Sequence, residues 1–481
     1  MYINYELEYK RTESSKSSDQ TDIFVQNCCD NIMESKLIVK NFGPIKEVEL
    51  DLRNVNVFIG PQSTGKSALA KIYTIFKAPR KFFYKIGTES SALVLDHEKA
   101  IKEFKDVFVE YNILSFLKDK TEIKFESELH IFEYKDKTIC YEPKLFNTIT
   151  ALEGLSADFE INKDAIIEGL SNIADKFVFF NIGASKILLS KDELDNNSAH
   201  NREYLNNLNS DNCKRVFDLI KSQEADLSTN TALYIPAERS FSNIIKKSAL
   251  NLIKNKVPIP EHILSFGAEL EKLDIKEIDL DFIQKGLIYK NINDEDKIYF
   301  EDDQSIMLTE AASGIQSLVP ILTSILNKIN VFHKSFVIEE PELNLFPSAQ
   351  YELIQCLESN RRDPIPLWED FGSIHTYTTH SPYILSALNN LLYAHKVRQK
   401  LYSSSRPDTK SFTDHYKDCD VLIKKIVKEV INPASFTAYQ IKDGHAELIF
   451  DRENGLIDDN YIDEATDVIN EDFDKLMELT K

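Results

Sequence analysis

Apolar and polar positions alternate between two periods along this chain, and the switches between them mark its elements. Val55 to Ile59 is an apolar run that predicts a buried strand, and Ala68 to Phe76 predicts a helix. Upstream, Leu37 to Val39, a turn at Asn41-Phe42-Gly43-Pro44, and Val48 to Leu52 predict a strand-turn-strand unit. Glu122 to Phe132 alternates, Lys135-Asp136-Lys137 turns, and Thr138 to Tyr141 returns as a hairpin. Leu233 to Pro236 predicts a short buried strand followed by a helix through about residue 253, and residues 258–310 read as a helix and then short acidic strands. Phe336 to Ile338 and Ile374 to Thr378 are two further strands, with a helix predicted before them to about Leu326. The tail predicts a hairpin from Phe436 with a turn at Asn454-Gly455, then an amphipathic helix over Ile462 to Leu479. No sustained heptads and no internal repeats occur, so a long coiled-coil arm is not expected.

These segments predict an α/β fold cut into parts. Residues 1–32, rich in Ser, Thr and Asp between Thr12 and Asp22, are expected to be a disordered leader. The folded part is expected to open at Met33, the leader being an upstream translation start or a flexible tail. A core follows in two halves, 33–80 and 231–395, separated by a mostly helical inserted lobe at 81–230. Residues 396–481 are expected to form a small C-terminal α+β segment with the hairpin and an acidic helix; from 451 onward eleven acidic residues stand against three basic ones.

Composition narrows the picture. With 481 residues, 42% hydrophobic and 28% charged, the chain has the make-up of a globular protein with one large core or two smaller ones. No apolar run is long enough to span a bilayer and no signal-peptide pattern is present, so a cytoplasmic location without membrane contact is expected. The six cysteines are scattered without a CxxC pair, which supports reduced thiols rather than a zinc site. A net charge of -21 argues against broad adhesion to nucleic acid or anionic lipid. The one local basic cluster, Lys77, Arg80, Lys81 and Lys85 interleaved with Phe82, Phe83 and Tyr84, reads first as a solvated helix face.

The candidate chemistry sits where the predicted strands end. Gly60-Pro61-Gln62-Ser63-Thr64-Gly65-Lys66-Ser67 lies between a strand and a helix that opens at Ala68, which is the context that confirms a phosphate-binding P-loop. Its glycines let successive backbone N–H groups converge on a phosphate at a helix N-terminus. Lys66 is expected to reach the β- and γ-phosphates, and Ser67 to ligate Mg²⁺. Phe336-Val337-Ile338-Glu339-Glu340 is an apolar strand ending in two carboxylates: Glu339 is placed to hold Mg²⁺, and Glu340 to polarise the water that attacks the γ-phosphate. Most P-loop proteins have Asp at the first of these positions. Ser313-Gly314-Ile315-Gln316 enters a helix and reads as an anion site or as an ordinary N-cap. His380 follows a strand end, where a donor to the γ-phosphate is needed.

The order P-loop, Ser-Gly-x-Gln, paired carboxylates, strand-end histidine resembles the ABC-type ATPases, in the branch that includes SMC, RecF and OLD proteins. Within that branch it resembles the compact AAA-family ATPases of the AAA_15 and AAA_21 groups. The likeness rests on Leu37 to Ile45, Tyr234 to Ser240, Ser313 to Ser317, Glu339 to Pro347 and Thr379 to Pro382. The resemblance implies a homodimer or higher homo-oligomer with two ATP molecules at the interface. Ser313, Gly314 and Gln316 would complete the partner's pocket, His380 would act as a switch, and Asn344 and Leu345 would speak across the interface. Relatives of this size often sit in bacterial anti-phage systems, so the resemblance implies a separate effector protein, a nuclease or toxin. No nuclease array is legible in the hundred or so residues after His380. Three other classes stay open: a DNA-repair ATPase that clamps DNA, a GTPase suggested by Asn327-Lys328-Ile329-Asn330, and an ATP-binding scaffold with little turnover.

Overall fold

The computed structural model describes residues 35–77, 97–127, 130–143, 177–182, 185–190, 232–245, 249–273, 275–302, 304–326, 335–361, 373–404 and 419–479. The expected leader, most of the basic cluster, much of the inserted lobe and the Asn327–Asn330 motif lie outside these residues.

An eleven-stranded mixed sheet carries the chain's chemistry. Strands β1 (Ser35–Phe42) and β2 (Ile45–Leu52) pair antiparallel, and β3 (Val55–Ile59) runs into helix α1 (Lys66–Lys77). After α2 (His97–Glu110), β4 (Leu117–Ser127), β5 (His130–Lys135) and β6 (Thr138–Pro143) extend the sheet outward from the free edge of β1. Strands β7 (Phe177–Ile182) and β8 (Ser185–Ser190) form a separate hairpin. The described residues of 81–230 thus hold five strands, one α-helix and a short 3-10 turn at Leu114–Phe116, where a mostly helical lobe was expected. The alternating pattern from Glu122 onward predicts strand, and the edge of β1 gives it a partner.

The second half of the core begins at β9 (Ala232–Ile235), followed by short helices α3 (Phe241–Ile245) and α4 (Ala249–Lys254) and by α5 (Glu261–Glu271). A four-stranded antiparallel sheet follows: β10 (Glu277–Asp279), β11 (Ile288–Ile292), β12 (Glu295–Tyr299) and β13 (Ser305–Met307). Then come α6 (Ser313–Leu326), β14 (Ser335–Glu339), α7 (Pro347–Ser359), β15 (Ile374–Thr378) and α8 (Pro382–Ser404). The chain ends with β16 (Phe436–Lys442), β17 (His445–Leu448), the small pair β18 (Phe450–Asp451) and β19 (Leu456–Ile457), and α9 (Tyr461–Glu478).

Sheet order is β6-β5-β4-β1-β2-β17-β16-β3-β15-β14-β9. The run β16, β3, β15, β14, β9 is parallel throughout. Every residue of β3, β14 and β15 is buried, as expected for parallel strands covered on both faces. Alternation divides them between two cores. Val55, Val57 and Ile59 join Leu318, Leu353 and Leu388 from α6, α7 and α8, whereas Phe58 joins Leu69, Ile72, Tyr73 and Phe76 from α1.

The C-terminal segment contributes directly to this sheet. Its first hairpin turns at Asp443-Gly444, both at positive φ, with a second turn at Asn454-Gly455. Strand β16 lies beside β3, so Ile441 roofs the start of the loop at residues 60–65.

Candidate functional site

The carboxyl ends of the parallel strands β3, β14 and β15 lie side by side, the edge at which α/β sheets hold ligands. Gly60 leaves β3 with φ 149°, Ser63 follows at φ 62°, and Gly65 has φ 106°. At Gly60 a side chain is excluded outright, because its Cβ would stand 2.2 Å from the Ile441 carbonyl oxygen. Pro61, Gln62, Ser63 and Thr64 form the crest, with the Thr64 hydroxyl donating to the Pro61 carbonyl at 2.9 Å. Gly65 leads into α1, where Leu69 N donates to its carbonyl, and Ala68 packs into the core.

Lys66 is buried, and its Nζ donates to the Gly60 and Pro61 carbonyls at 2.7 and 2.8 Å. Burial lowers its pKa to about 8 against the pull of Glu340, Glu339 and Glu342. The lysine tip thus rests inside the loop where a phosphate would replace those carbonyls.

Strand β14 delivers the two carboxylates. Glu339 is buried, and its Oε1 has no hydrogen-bond partner. Burial pushes its pKa up, against the neighbouring Tyr234 and Ser67 hydroxyls and the Lys71 ammonium, which favour the charged form. A buried, orphaned carboxylate oxygen beside a serine hydroxyl suits a hard divalent cation completed by phosphate and water oxygens. Among the described residues no group of three or more His, Cys, Asp and Glu could hold a metal by itself. Glu340 turns out of the strand at φ 42°, a left-handed conformation costly for a residue with a Cβ. Its N–H donates to the Thr378 carbonyl at 2.9 Å.

His380 stands two residues beyond β15. Its backbone N–H donates to Glu342 Oε1 at 2.8 Å, its Nδ1 lies 3.3 Å from the Tyr461 hydroxyl, and its Nε2 lies 3.9 Å from Glu340 Oε1. Burial and then Lys66 lower its pKa, so the ring is neutral near pH 7 and the contact with Glu340 is no ion pair. Lys66, Glu339, Glu340 and His380 are therefore gathered at one strand edge, as the sequence predicts.

Ser313 and Gly314 open α6. Ser313 is exposed, and Gly314 is pressed against the Asn344-Leu345 turn, where an added Cβ would meet the Asn344 carbonyl at 2.6 Å. The Gln316 amide nitrogen is spent on the Thr309 and Ala311 carbonyls of its own entry loop, at 3.1 and 2.7 Å. Pro320 cannot donate to the Gln316 carbonyl, and Asn243 Nδ2 takes that place at 2.8 Å.

Three residues at the site carried no assigned role in the sequence. Arg239 is fully buried and binds no carboxylate: its guanidinium donates to the carbonyls of Ser317 (2.8 Å), Pro236 (3.2 Å), Glu339 (2.7 Å) and Glu340 (2.8 Å). It ties the first turns of α6 to the end of β14 and holds the strained Glu340 backbone. Burial lowers its pKa to about 10, which leaves it charged. A lone arginine after a buried strand, at Tyr234-Ile235-Pro236, was the available signal. Glu342 receives His380, and burial raises its pKa. Tyr461, 81 residues beyond His380, had no local signal at all.

Comparison with known proteins agrees with this geometry. The family described as "AAA ATPase domain" matches residues 33–385. No curated protein matches. Among solved structures, the SMC head domain with an extended coiled coil bound to the C-terminal domain of ScpA, from Pyrococcus furiosus, aligns at 10% identity over 92% of this chain and 99% of that one, with a TM-score of 0.32. The SMC head domain from Thermotoga maritima aligns at 9% identity over 86% and 98%, with a TM-score of 0.31. Scores this low establish no common fold. The family match, by contrast, spans most of the chain and encloses the residue 60–68 loop, Arg239, Ser313, Glu339, Glu340, Glu342 and His380, while Ile441 and Tyr461 lie beyond it: the chain belongs to the AAA ATPase domain family and is an ATPase.

Proposed function

We propose that the chain binds ATP with Mg²⁺ in the residue 60–68 loop, and that hydrolysis opens a homodimer closed by ATP, so that the dimer acts as a switch on a separate effector protein. The observation that carries the chemistry is the convergence of Lys66, Glu339, Glu340 and His380 at the ends of three adjacent parallel strands.

In this reading the loop from Gly60 to Ala68 wraps the phosphates with the backbone N–H groups of every residue but Pro61, and Lys66 exchanges two loop carbonyls for phosphate oxygens. Ser67 and Glu339 would hold Mg²⁺, which supplies charge neutralisation on the β- and γ-phosphates when bound. Glu340, half-buried and fixed by Thr378 and Arg239, orients and polarises the attacking water. Neutral His380 offers a ring nitrogen near Glu340, at the place where the γ-phosphate ends. The exposed Ser313 beside the closely packed Gly314 supports pairing with the pocket of a second copy, as the family resemblance implies. The same resemblance supports an effector of nuclease or toxin type in anti-phage defence.

Glu340→Gln keeps the shape of the site and removes the group that activates water. The expected result is hydrolysis reduced by at least about a hundredfold, together with an ATP-dependent dimer seen by size-exclusion chromatography with light scattering. A Glu340→Gln protein that hydrolyses normally, or that stays monomeric with ATP bound, overturns the proposal.

A further inference from the structure

Helix α9 (Tyr461–Glu478) joins the nucleotide pocket to an exposed surface. Its first turn is fastened by a capping box, in which the Asn460 side chain accepts from Ile462 N and Asp463 Oδ2 accepts from Asn460 N. Tyr461 N donates to Gln440 Oε1 of β16 at 2.8 Å, and the Tyr461 hydroxyl lies 3.3 Å from His380 Nδ1. The Gly60 backbone acts on the same hydroxyl. The root of α9 therefore touches both the strand-end histidine and the start of the phosphate loop.

From Asp467 to Leu479 every residue is exposed. Ile469, Phe473 and Leu476, spaced four and three residues apart, form one apolar stripe with Val468 beside it, and these four are 57% to 69% exposed. Seven carboxylates against the single Lys475 flank that stripe along the helix. Lys475 is itself engaged by Glu471 at 2.9 Å and Asp472 at 3.7 Å. Four large apolar side chains exposed along one helix cost solvation that a partner surface would recover, since stripes of this kind mark helix-in-groove contacts. A second α9 is a poor occupant, because it would bring seven more carboxylates against the first seven.

We infer that α9 is a docking helix for a partner protein with an apolar groove rimmed by Lys and Arg, and that Tyr461 links this docking to nucleotide in the pocket. The inference rests on the switch reading above and names the surface through which that switch reaches its effector. ATP placed between Lys66 and His380 would re-partner the histidine that now faces Tyr461, and so change the seating of the helix root. The apolar stripe supplies affinity, the carboxylates choose the sign of the partner, and the linkage makes affinity depend on nucleotide.

The test uses the full chain and synthetic helical peptides of the length of α9, 18 residues. One carries Leu on one face and Lys on the other, a second has Glu for Lys, and a third is the Lys peptide scrambled so that it has no face. Fluorescence anisotropy should show the patterned Lys peptide binding in a salt-dependent way, with the Glu and scrambled peptides at least about tenfold weaker. Ile469→Gln with Phe473→Gln keeps good helix formers and should weaken the Lys peptide at least about tenfold, with hydrolysis unaltered. Asp467→Lys with Asp474→Lys brings the helix from seven carboxylates and one lysine to five and three, and should narrow the preference for the Lys peptide over the Glu peptide. Equal binding by the Gln variant, or by the scrambled peptide, overturns docking on this helix. Loss of ATP-driven dimerisation in the Gln variant overturns it in favour of a second copy. In Glu340→Gln with ATP bound, the affinity for the Lys peptide should move at least about threefold, and Tyr461→Phe should abolish the move. An unchanged affinity although ATP is bound overturns the linkage. Peptide binding by the apoprotein does not need the ATP switch, so failure of the switch and failure of the docking surface read out separately.

Discussion

Lys66 has two competing environments, and its protonation decides between them. In the apoprotein burial outweighs the three nearby carboxylates and brings its pKa to about 8, from an ordinary 10.5. A bound triphosphate would raise it again, so nucleotide binding favours the protonated form. The sign then follows for affinity: below pH 8 the ammonium is already charged, and above it each bound nucleotide must recover a proton. ATP affinity, measured by equilibrium titration of the Glu340→Gln protein, should be roughly tenfold weaker at pH 9 than at pH 7, and Lys66→Arg should flatten the curve. Apoprotein stability runs the other way. Between about pH 8 and 10.5 the unfolded chain holds the proton that the folded lysine has lost, so this group makes the fold more stable as pH rises through that window. A flat affinity profile would mean that Lys66 does not meet the phosphates. Beside it, Arg239 shows how one buried cation organises backbone rather than carboxylates: four carbonyls from three segments converge on one guanidinium.

At the scale of elements, α7 and β15 are joined by a buried polar cluster on the far side of the sheet edge from any nucleotide contact. Glu358, at the end of α7, accepts from Arg361 Nε at 2.8 Å and from the Tyr377 hydroxyl at 2.6 Å, and its Oε1 lies 3.1 Å from His375 Nδ1. Although burial opposes the charge, His375, Arg361 and Tyr377 together hold its pKa down at about 2, from an ordinary 4.5. A depressed carboxylate contributes stability above its unfolded pKa and loses it as pH falls from about 4.5 toward 2. Glu358→Ala should cost on the order of 3–5 kcal/mol at pH 7, because it leaves buried partners uncompensated. The gap between the urea midpoints of wild type and variant should narrow from pH 7 to pH 3 without closing, and a gap of the same size at both would refute the account. The strand β15 itself was legible in the sequence, as were β3 and β14, since short segments rich in apolar and β-branched residues between turn signals leave little choice, and α1 follows from the helical spacing after the loop. The loop at 60–67, the paired carboxylates and His380 were legible for the same reason: each sits at the end of such a run. Position in space was not. Nothing local in Phe436–Lys442 says that it pairs with Val55–Ile59, nearly four hundred residues away, or that Ile441 then forces Gly60 to be glycine. The strand β4 was readable as alternation, but its continuity with β1 depends on an edge that only the assembled sheet presents.

For the whole molecule, the remaining issue is whether a pocket is built by one chain or by two. Within one chain, the Ser313 end of α6 is held to the end of β14 by Arg239, and Gly314 is wedged on Asn344, so Ser313 sits on a fixed mount. A rigid mount of this kind suits a surface that meets another copy, and a two-fold arrangement would give each pocket a loop from one chain and Ser313 from the other. In that arrangement Ser313→Arg would spoil only the surface offered to the other copy, while Lys66→Ala would spoil only the chain's own loop. Each variant alone should hydrolyse ATP at background rate. Mixed in equal amounts, they should regain activity, because one pocket of each mixed dimer combines an intact loop with an intact Ser313. Random pairing makes half of the dimers mixed, with one good pocket of two, so recovery should approach about a quarter of the wild-type rate. A pocket completed within a single chain predicts no recovery at any ratio. Recovery that rises with total protein concentration and vanishes on dilution would locate the shared pocket at an interface that forms and parts, as a nucleotide-gated switch requires.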